Sequence, residues 1–211
     1  MLQWHHQPPQ TQAPGVFMRS KVLMLNRDGQ PNGWITQEEA ILYHATEKVI
    51  YQIGRDDQFI FRGGVNRLTN KVSQLSTAPI IAVDGATKDK SFKVPTITNR
   101  VLFQRDNHQC AYCGRKFGYK QLTRDHVLAR SRGGKDRWDN IVACCAYHNN
   151  MKDNLTPEEA GLKLIFQPYT PTFAEVLFLE QAETSLPIQV EYLVQFFPEQ
   201  SRIINRALEL M

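Results

Sequence analysis

Cys110-Ala111-Tyr112-Cys113-Gly114 and Cys145-Ala146-Tyr147-His148 bracket the stretch that decides how this chain folds. Each is a pair of soft metal ligands two residues apart, and 31 residues separate Cys113 from Cys145. Zn²⁺ prefers four sulfur or imidazole ligands in a tetrahedron, and three thiolates with one imidazole form a closed structural set. Cys110, Cys113, Cys145 and His148 are therefore the expected zinc ligands. Cys144 stands four residues before His148, a spacing that also works on a helix. Cys145 is preferred because its spacing mirrors the first half, which leaves Cys144 as a small buried apolar residue. A redox role for Cys-x-x-Cys is disfavoured, because no βαβ pattern surrounds Cys110.

Between the two halves, Leu122-Thr123-Arg124-Asp125-His126-Val127 alternates like a strand with Asp-His at its end. Asp139-Asn140-Ile141-Val142-Ala143 reads as a second strand, and Arg130-Ser131-Arg132-Gly133-Gly134-Lys135 as the basic, flexible connection. A helix starting near Cys145 carries His148 and Asn149 about 100° apart, so one can face the zinc and the other the strands. The unit predicted is strand, loop, strand, helix, clasped by metal.

Working outward, Thr98 or Asn99 caps a short helix from Arg100 to Asp106. Lys21–Asn26 reads as a strand and Asp28–Gly33 as turn chemistry. Thr36-Gln37-Glu38-Glu39 is a capping box that opens a helix through about Val49, with Ile41, Leu42, Ala45 and Val49 as its apolar stripe. Strands are expected at 49–53 and 58–62, with another apolar stretch at Ile80–Val83. His44 is expected to be a packing or surface histidine. Thr156-Pro157-Glu158-Glu159 is a second capping box, followed by helices near 157–162, 172–183, 189–197 and 199–210. The fold class is α+β. The expected domains are a disordered segment 1–17, a small α+β domain 18–97, the metal-clasped unit 98–156, and an acidic helical extension 157–211.

The whole chain has 211 residues, 42% hydrophobic and 22% charged, which excludes a wholly disordered or collagen-like chain and a coiled coil. No apolar run approaches the roughly 20 residues of a membrane span. The first residues lack a basic start and an apolar middle, so no signal peptide and a cytoplasmic location are expected. His5-His6 in the Gln/Pro-rich start is not read as a metal site. The net charge of +4 is uneven: +3 over residues 1–98, +6 over 99–154 and −5 over 155–211. A basic centre implies a polyanion partner. The acidic tail 157–211 suits a homodimer contact, a protein partner, or a shield over the basic centre.

In their order and spacing, Cys110-x-x-Cys113, Leu122-Thr-x-Asp-His126, Ser131-Arg-Gly-Gly134, Trp138-x-Asn140-Ile-Val, Cys145-x-x-His148-Asn149 and Lys152 resemble the HNH endonuclease family, with its ββα-metal motif. The likeness covers about residues 100–154. More loosely, Val22–Asn26 and the helix after it resemble the N-terminal part of stand-alone bacterial HNH proteins. Three positions depart from the family pattern: the last zinc ligand is His148 rather than Cys, the final H is Asn149, and Asp153 follows Lys152 where glycine is frequent. No departure removes a required chemical group.

The resemblance implies metal-dependent hydrolysis of DNA, probed as double-stranded, with His126 as general base. Asp125 and Asn149 would give oxygen ligands to a catalytic Mg²⁺ or Mn²⁺, separate from the structural Zn²⁺. Asn140 would hold the loop and the His126 ring. Arg124, Arg130, Arg132, Lys135, Arg137 and Lys152 are the candidates for phosphate contacts. Tyr112 and Tyr119 are candidates for base stacking, whereas Trp138 is expected in the core. The alternative is a non-catalytic zinc module that only binds nucleic acid; it would not need Asp125, His126, Asn140 and Asn149 together.

Overall fold

In the computed structural model, residues 20–65, 67–85, 94–199 and 201–211 are described. The His5-His6 pair and the N-terminal segment lie outside them. Strand β1 (Val22–Leu25) is wholly buried and forms the middle of a four-stranded sheet with β2 (Pro31–Ile35), β3 (Val49–Ile53) and β6 (Ile80–Val83), in the order β2-β1-β6-β3. β1 runs antiparallel to β2 and parallel to β6. β2 occupies ground that reads as a turn in the sequence. Pro31 is tolerated because it is the first residue of the strand, where a missing N–H costs least.

Helix α1 (Gln37–Ala45) starts at the expected capping box: the Thr36 hydroxyl accepts from Glu39 N, and Thr36 N donates to the Glu39 carboxylate. It stops at Ala45, short of Val49, because Glu47 turns the chain at φ 55° into β3. The expected stripe is rotated. Leu42 is 64% exposed, and the inward residues are Ala40 and the half-buried Tyr43. His44 packs as expected, its Nε2 3.0 Å from Thr77 Oγ1. Strands β4 (Phe59–Val65) and β5 (Val72–Thr77) form a separate two-stranded hairpin.

Helix α2 (Asn99–Arg105) leads into the metal-clasped unit, which comprises β7 (Leu122–His126), β8 (Ile141–Cys145) and α3 (Ala146–Lys152). The tail contributes α4 (Phe173–Gln181), α5 (Pro187–Val194) and α6 (Ile204–Leu208). Thr156 and Glu159 exchange both capping-box hydrogen bonds, yet residues 157–161 form turns rather than the expected helix.

One core draws on every part of the chain. Leu23, Leu25 and Ile80 of the first sheet meet Leu102 and Phe103 of α2, Ile141 of β8, and Leu177, Phe178 and Val190 of the tail helices. Polar ties fix the same junction. Trp34 Nε1 donates to Leu177 O at 2.9 Å, and the buried Gln189 amide donates to both Lys21 O and Pro79 O at 2.8 Å. The tail thus supplies core, and removing it would expose β1 and α2 to water.

Candidate active site

The site is built on a buried ion pair. Arg105 and Asp106, side by side at the end of α2, are both fully buried and paired at 2.9 Å. Arg105 donates to the carbonyls of Trp138, Tyr169 and Ile141 at 2.7 to 2.8 Å, and Asp106 accepts from Ala143 N at 2.8 Å. A buried guanidinium satisfied in this way holds α2 against β8. Trp138, 1% exposed with its indole N–H on Pro95 O, belongs to this core as expected.

Next in the chain, the knuckle turns back on itself. Cys110 N donates to Arg115 O, and Gly114 N to Cys110 O, with Gly114 at φ +72°. Ala111 N then donates to Ala143 O, which docks the knuckle on β8. The ligand atoms of Cys110, Cys113, Cys145 and His148 all lie within 4.8 Å of one another, and Cys145 Sγ is 3.1 Å from His148 Nδ1. This cluster can bind a metal such as zinc. Cys145 sits at the N-cap of α3, which puts His148 on the first turn. Cys144 points to the other side of β8 and stays outside the cluster. Its thiol lies 4.0 Å from Cys110 Sγ, and that contact holds the Cys110 thiol down at about 4.

Strand β7 offers two faces. On one, Asn149 Nδ2 donates to Thr123 Oγ1 at 2.9 Å, and Asp125 is 4% exposed. Asp125 Oδ2 accepts from the Tyr112 hydroxyl at 2.6 Å, and Oδ1 accepts from Lys152 Nζ at 3.2 Å. Burial, and then the bond to Asp125, push the Tyr112 phenol far above its ordinary range. Lys152 is fully buried and also donates to His126 O at 2.7 Å. It therefore cannot contact a phosphate as the sequence suggested. Its ammonium is spent neutralising Asp125, the outcome expected for a charge that must be paired when buried.

On the other face, His126 Nε2 lies 3.2 Å from Asp136 Oδ1. Arg124 Nη1 grips both Asp136 oxygens at 3.0 Å, while its Nε donates to Asn99 Oδ1. Burial would raise the Asp136 carboxyl, but the bond and charge of Arg124, with His126, outweigh it and hold the group below its ordinary value.

Asn140 ties off the loop between the strands. Its amide donates to Leu128 O and Lys135 O, and its Oδ1 accepts from Leu128 N at 2.9 Å. It holds the loop as expected, but the His126 ring contacts Asp136 instead. The loop needs glycine at 134, where a Cβ would fall 1.7 Å from Leu128 O.

The other expected phosphate contacts divide. Arg132 pairs with Glu159, and Arg137 with Asp139 at 2.6 Å. Arg130 and Lys135 are exposed on the loop. Tyr112 is internal rather than a stacking surface, and Tyr119 stands edge-on to Phe103. Two participants escape the sequence reading: Asp136, which meets His126 only once the loop closes, and the Tyr112 hydroxyl as a partner of Asp125.

Residues 110–164, about a quarter of the chain, match the HNH endonuclease family. This stretch is of the HNH endonuclease family. A further similarity is to the CRISPR-associated endonuclease Cas9 of Corynebacterium diphtheriae, 38% identical over 52 residues. That match spans 24% of this chain and 5% of the Cas9 protein. The HNH stretch implies nuclease chemistry and a nucleic-acid partner. No helix among the described residues is long and apolar enough to cross a membrane.

Proposed function

We propose that this chain is a metal-dependent HNH endonuclease that hydrolyses phosphodiester bonds of double-stranded DNA, with His126 as general base. The observation that carries the reading is the His126–Asp136 contact at the end of β7, beside Asp125 and against α3. A zinc module that only binds nucleic acid has no use for an imidazole oriented by a carboxylate. The unit 98–156 is the nuclease domain in this reading.

The donor chemistry fits two metals of different kinds. Three thiols and an imidazole suit Zn²⁺. The Asp125 carboxylate retains lone pairs beyond its two hydrogen bonds, and Asn149 abuts the same face of β7. One carboxylate and one amide oxygen, completed by water and substrate phosphate, suit Mg²⁺ or Mn²⁺. When bound, such a cation neutralises charge that builds on the phosphate and leaving oxygen.

The chain's own groups do the rest. Asp136 takes the Nε2–H of His126, which leaves Nδ1 as the acceptor for a water proton. Arg124 fixes Asp136 and so fixes the ring. Tyr112 and Lys152 hold the Asp125 carboxylate in one orientation. Arg130 and Lys135 are placed to meet the phosphate backbone without reading sequence.

The test is metal dependence. Supercoiled plasmid should be nicked or linearised with Mg²⁺ or Mn²⁺, spared in excess EDTA, and cut again when Mg²⁺ is returned to protein that has kept its zinc. Cleavage indifferent to EDTA would overturn the proposal.

A further inference from the structure

The β4–β5 hairpin stands apart from the nuclease unit in every respect the site does not explain. It is a two-stranded sheet that pairs with no other strand among the described residues. Only its root is tied down. Phe59 and Thr77 are buried, Phe61 packs on the cluster around Val22 and Met24, and Thr77 meets His44. Beyond the root, the register pairs Ile60 with Ser76, Phe61 with Leu75 and Arg62 with Gln74. Side chains alternate across a strand, so Phe59, Phe61, Leu75 and Thr77 share the anchored face. Ile60, Arg62, Gln74 and Ser76 share the opposite one.

The charge is one-sided. From Phe59 to Thr77 the chain carries Arg62, Arg67 and Lys71 and no Asp or Glu. All three are exposed, and Leu68 between the last two is 96% exposed. Isolated hairpins are marginal in water, and this one also exposes Val65 and Val72. Such a ribbon gains by being covered. A second copy would bring an identical cationic ribbon against it, so like charges oppose self-pairing, whereas a polyanion is complementary.

We infer that the β4–β5 hairpin is a DNA-binding arm that lays its Arg62–Gln74 face into the major groove of the duplex. The inference rests on the endonuclease reading above. The major groove is about 12 Å wide and admits a two-stranded ribbon. Arg and Gln, the cross-strand pair on the outward face, are the side chains that bond guanine and adenine edges in pairs. The register shift between Arg62 and Val65, at Gly63-Gly64, adds the local twist a ribbon needs to follow a groove. Arg67 and Lys71 then fall to the flanking phosphates.

The test compares His126→Ala protein with the same protein carrying Arg62→Gln, Arg67→Gln and Lys71→Gln. Binding to a 30-base-pair duplex is followed by fluorescence anisotropy across a salt series. We expect the triple change to weaken binding at least tenfold at low salt. The slope of log affinity against log salt should become shallower by about 2 to 3, at roughly 0.9 per lost phosphate contact. Zinc content and melting temperature should not change. Lys71→Gln alone, at the exposed end, guards against a folding defect and should flatten the slope by about 1. Equal affinity and slope in parent and variants would overturn the arm and leave the nuclease reading standing. A parent that binds no duplex would overturn both. A concentration-dependent dimer that the triple change abolishes, with DNA affinity unaltered, would assign the face to a second copy instead.

Discussion

The Tyr112 hydroxyl lies 2.6 Å from Asp125 Oδ2, so a residue between two knuckle cysteines directly holds the carboxylate at the end of β7. The metal clasp and the candidate cation site are joined by one hydrogen bond. Tyr112→Phe keeps the ring and removes the bond. Hydrogen bonds to charged groups contribute about 1.5–3 kcal/mol, which sets the expected loss of stability. Zinc stoichiometry should be unchanged, and the Mg²⁺ concentration for half-maximal cleavage should rise severalfold. An unaltered Mg²⁺ dependence would show that Asp125 is placed without Tyr112.

Cysteine substitutions separate the two neighbours on β8. Cys110→Ser or Cys145→Ser should lose zinc and most of the fold's stability, since structural zinc supplies on the order of 10 kcal/mol in small zinc peptides. Cys144→Ala should keep one zinc per chain and lose only what a small buried cavity costs, about 1–2 kcal/mol. Elemental analysis with a thermal melt checks both. Zinc lost from Cys144→Ala and kept in Cys145→Ser would reverse the assignment.

Lys152 and the loop cations should behave oppositely. Lys152→Met leaves Asp125 buried without its partner and should destabilise by about 3–5 kcal/mol. Arg130→Ala with Lys135→Ala should leave the melt unchanged and reduce the salt slope of DNA binding by about 2. A stable Lys152→Met protein would contradict the ion pair's role.

Stability should also fall in mild acid through His44. Burial lowers its pKa below 6.5 in the folded chain, outweighing the charge of Asp56. The unfolded chain therefore takes up the proton first. The contribution is present above about pH 6.5 and is lost as pH falls from there through the lowered folded value. His44→Gln should flatten this part of the stability profile. An identical slope in the variant would remove His44 from the account.

What the sequence revealed follows from how local each feature is. The knuckle ligands and the Thr36–Glu39 box are short-range patterns, and both stand where the spacing puts them. The Thr156–Glu159 box forms its two bonds but no helix follows, because capping supplies a start and not the packing that sustains one. β2 was hidden by Pro31 and Gly33, whose turn preference is overridden by pairing with β1. Leu42 reads as core from its spacing, yet the sheet takes Ala40. Asp136 and Lys152 were misjudged for one reason. Each finds its partner across a loop or between elements, which no local pattern encodes. The tail helices read as an extension because nothing in their own composition marks Leu177 or Gln189 as partners of β1.

The most direct measurement is plasmid cleavage in Mg²⁺ by the wild-type chain beside His126→Ala, with matched zinc content and melting temperature. The account predicts nicked or linear product from the wild type and none from His126→Ala. Equal cleavage by the two would contradict His126 as the base, and no cleavage by either, with the duplex bound, would leave a zinc module that only binds DNA.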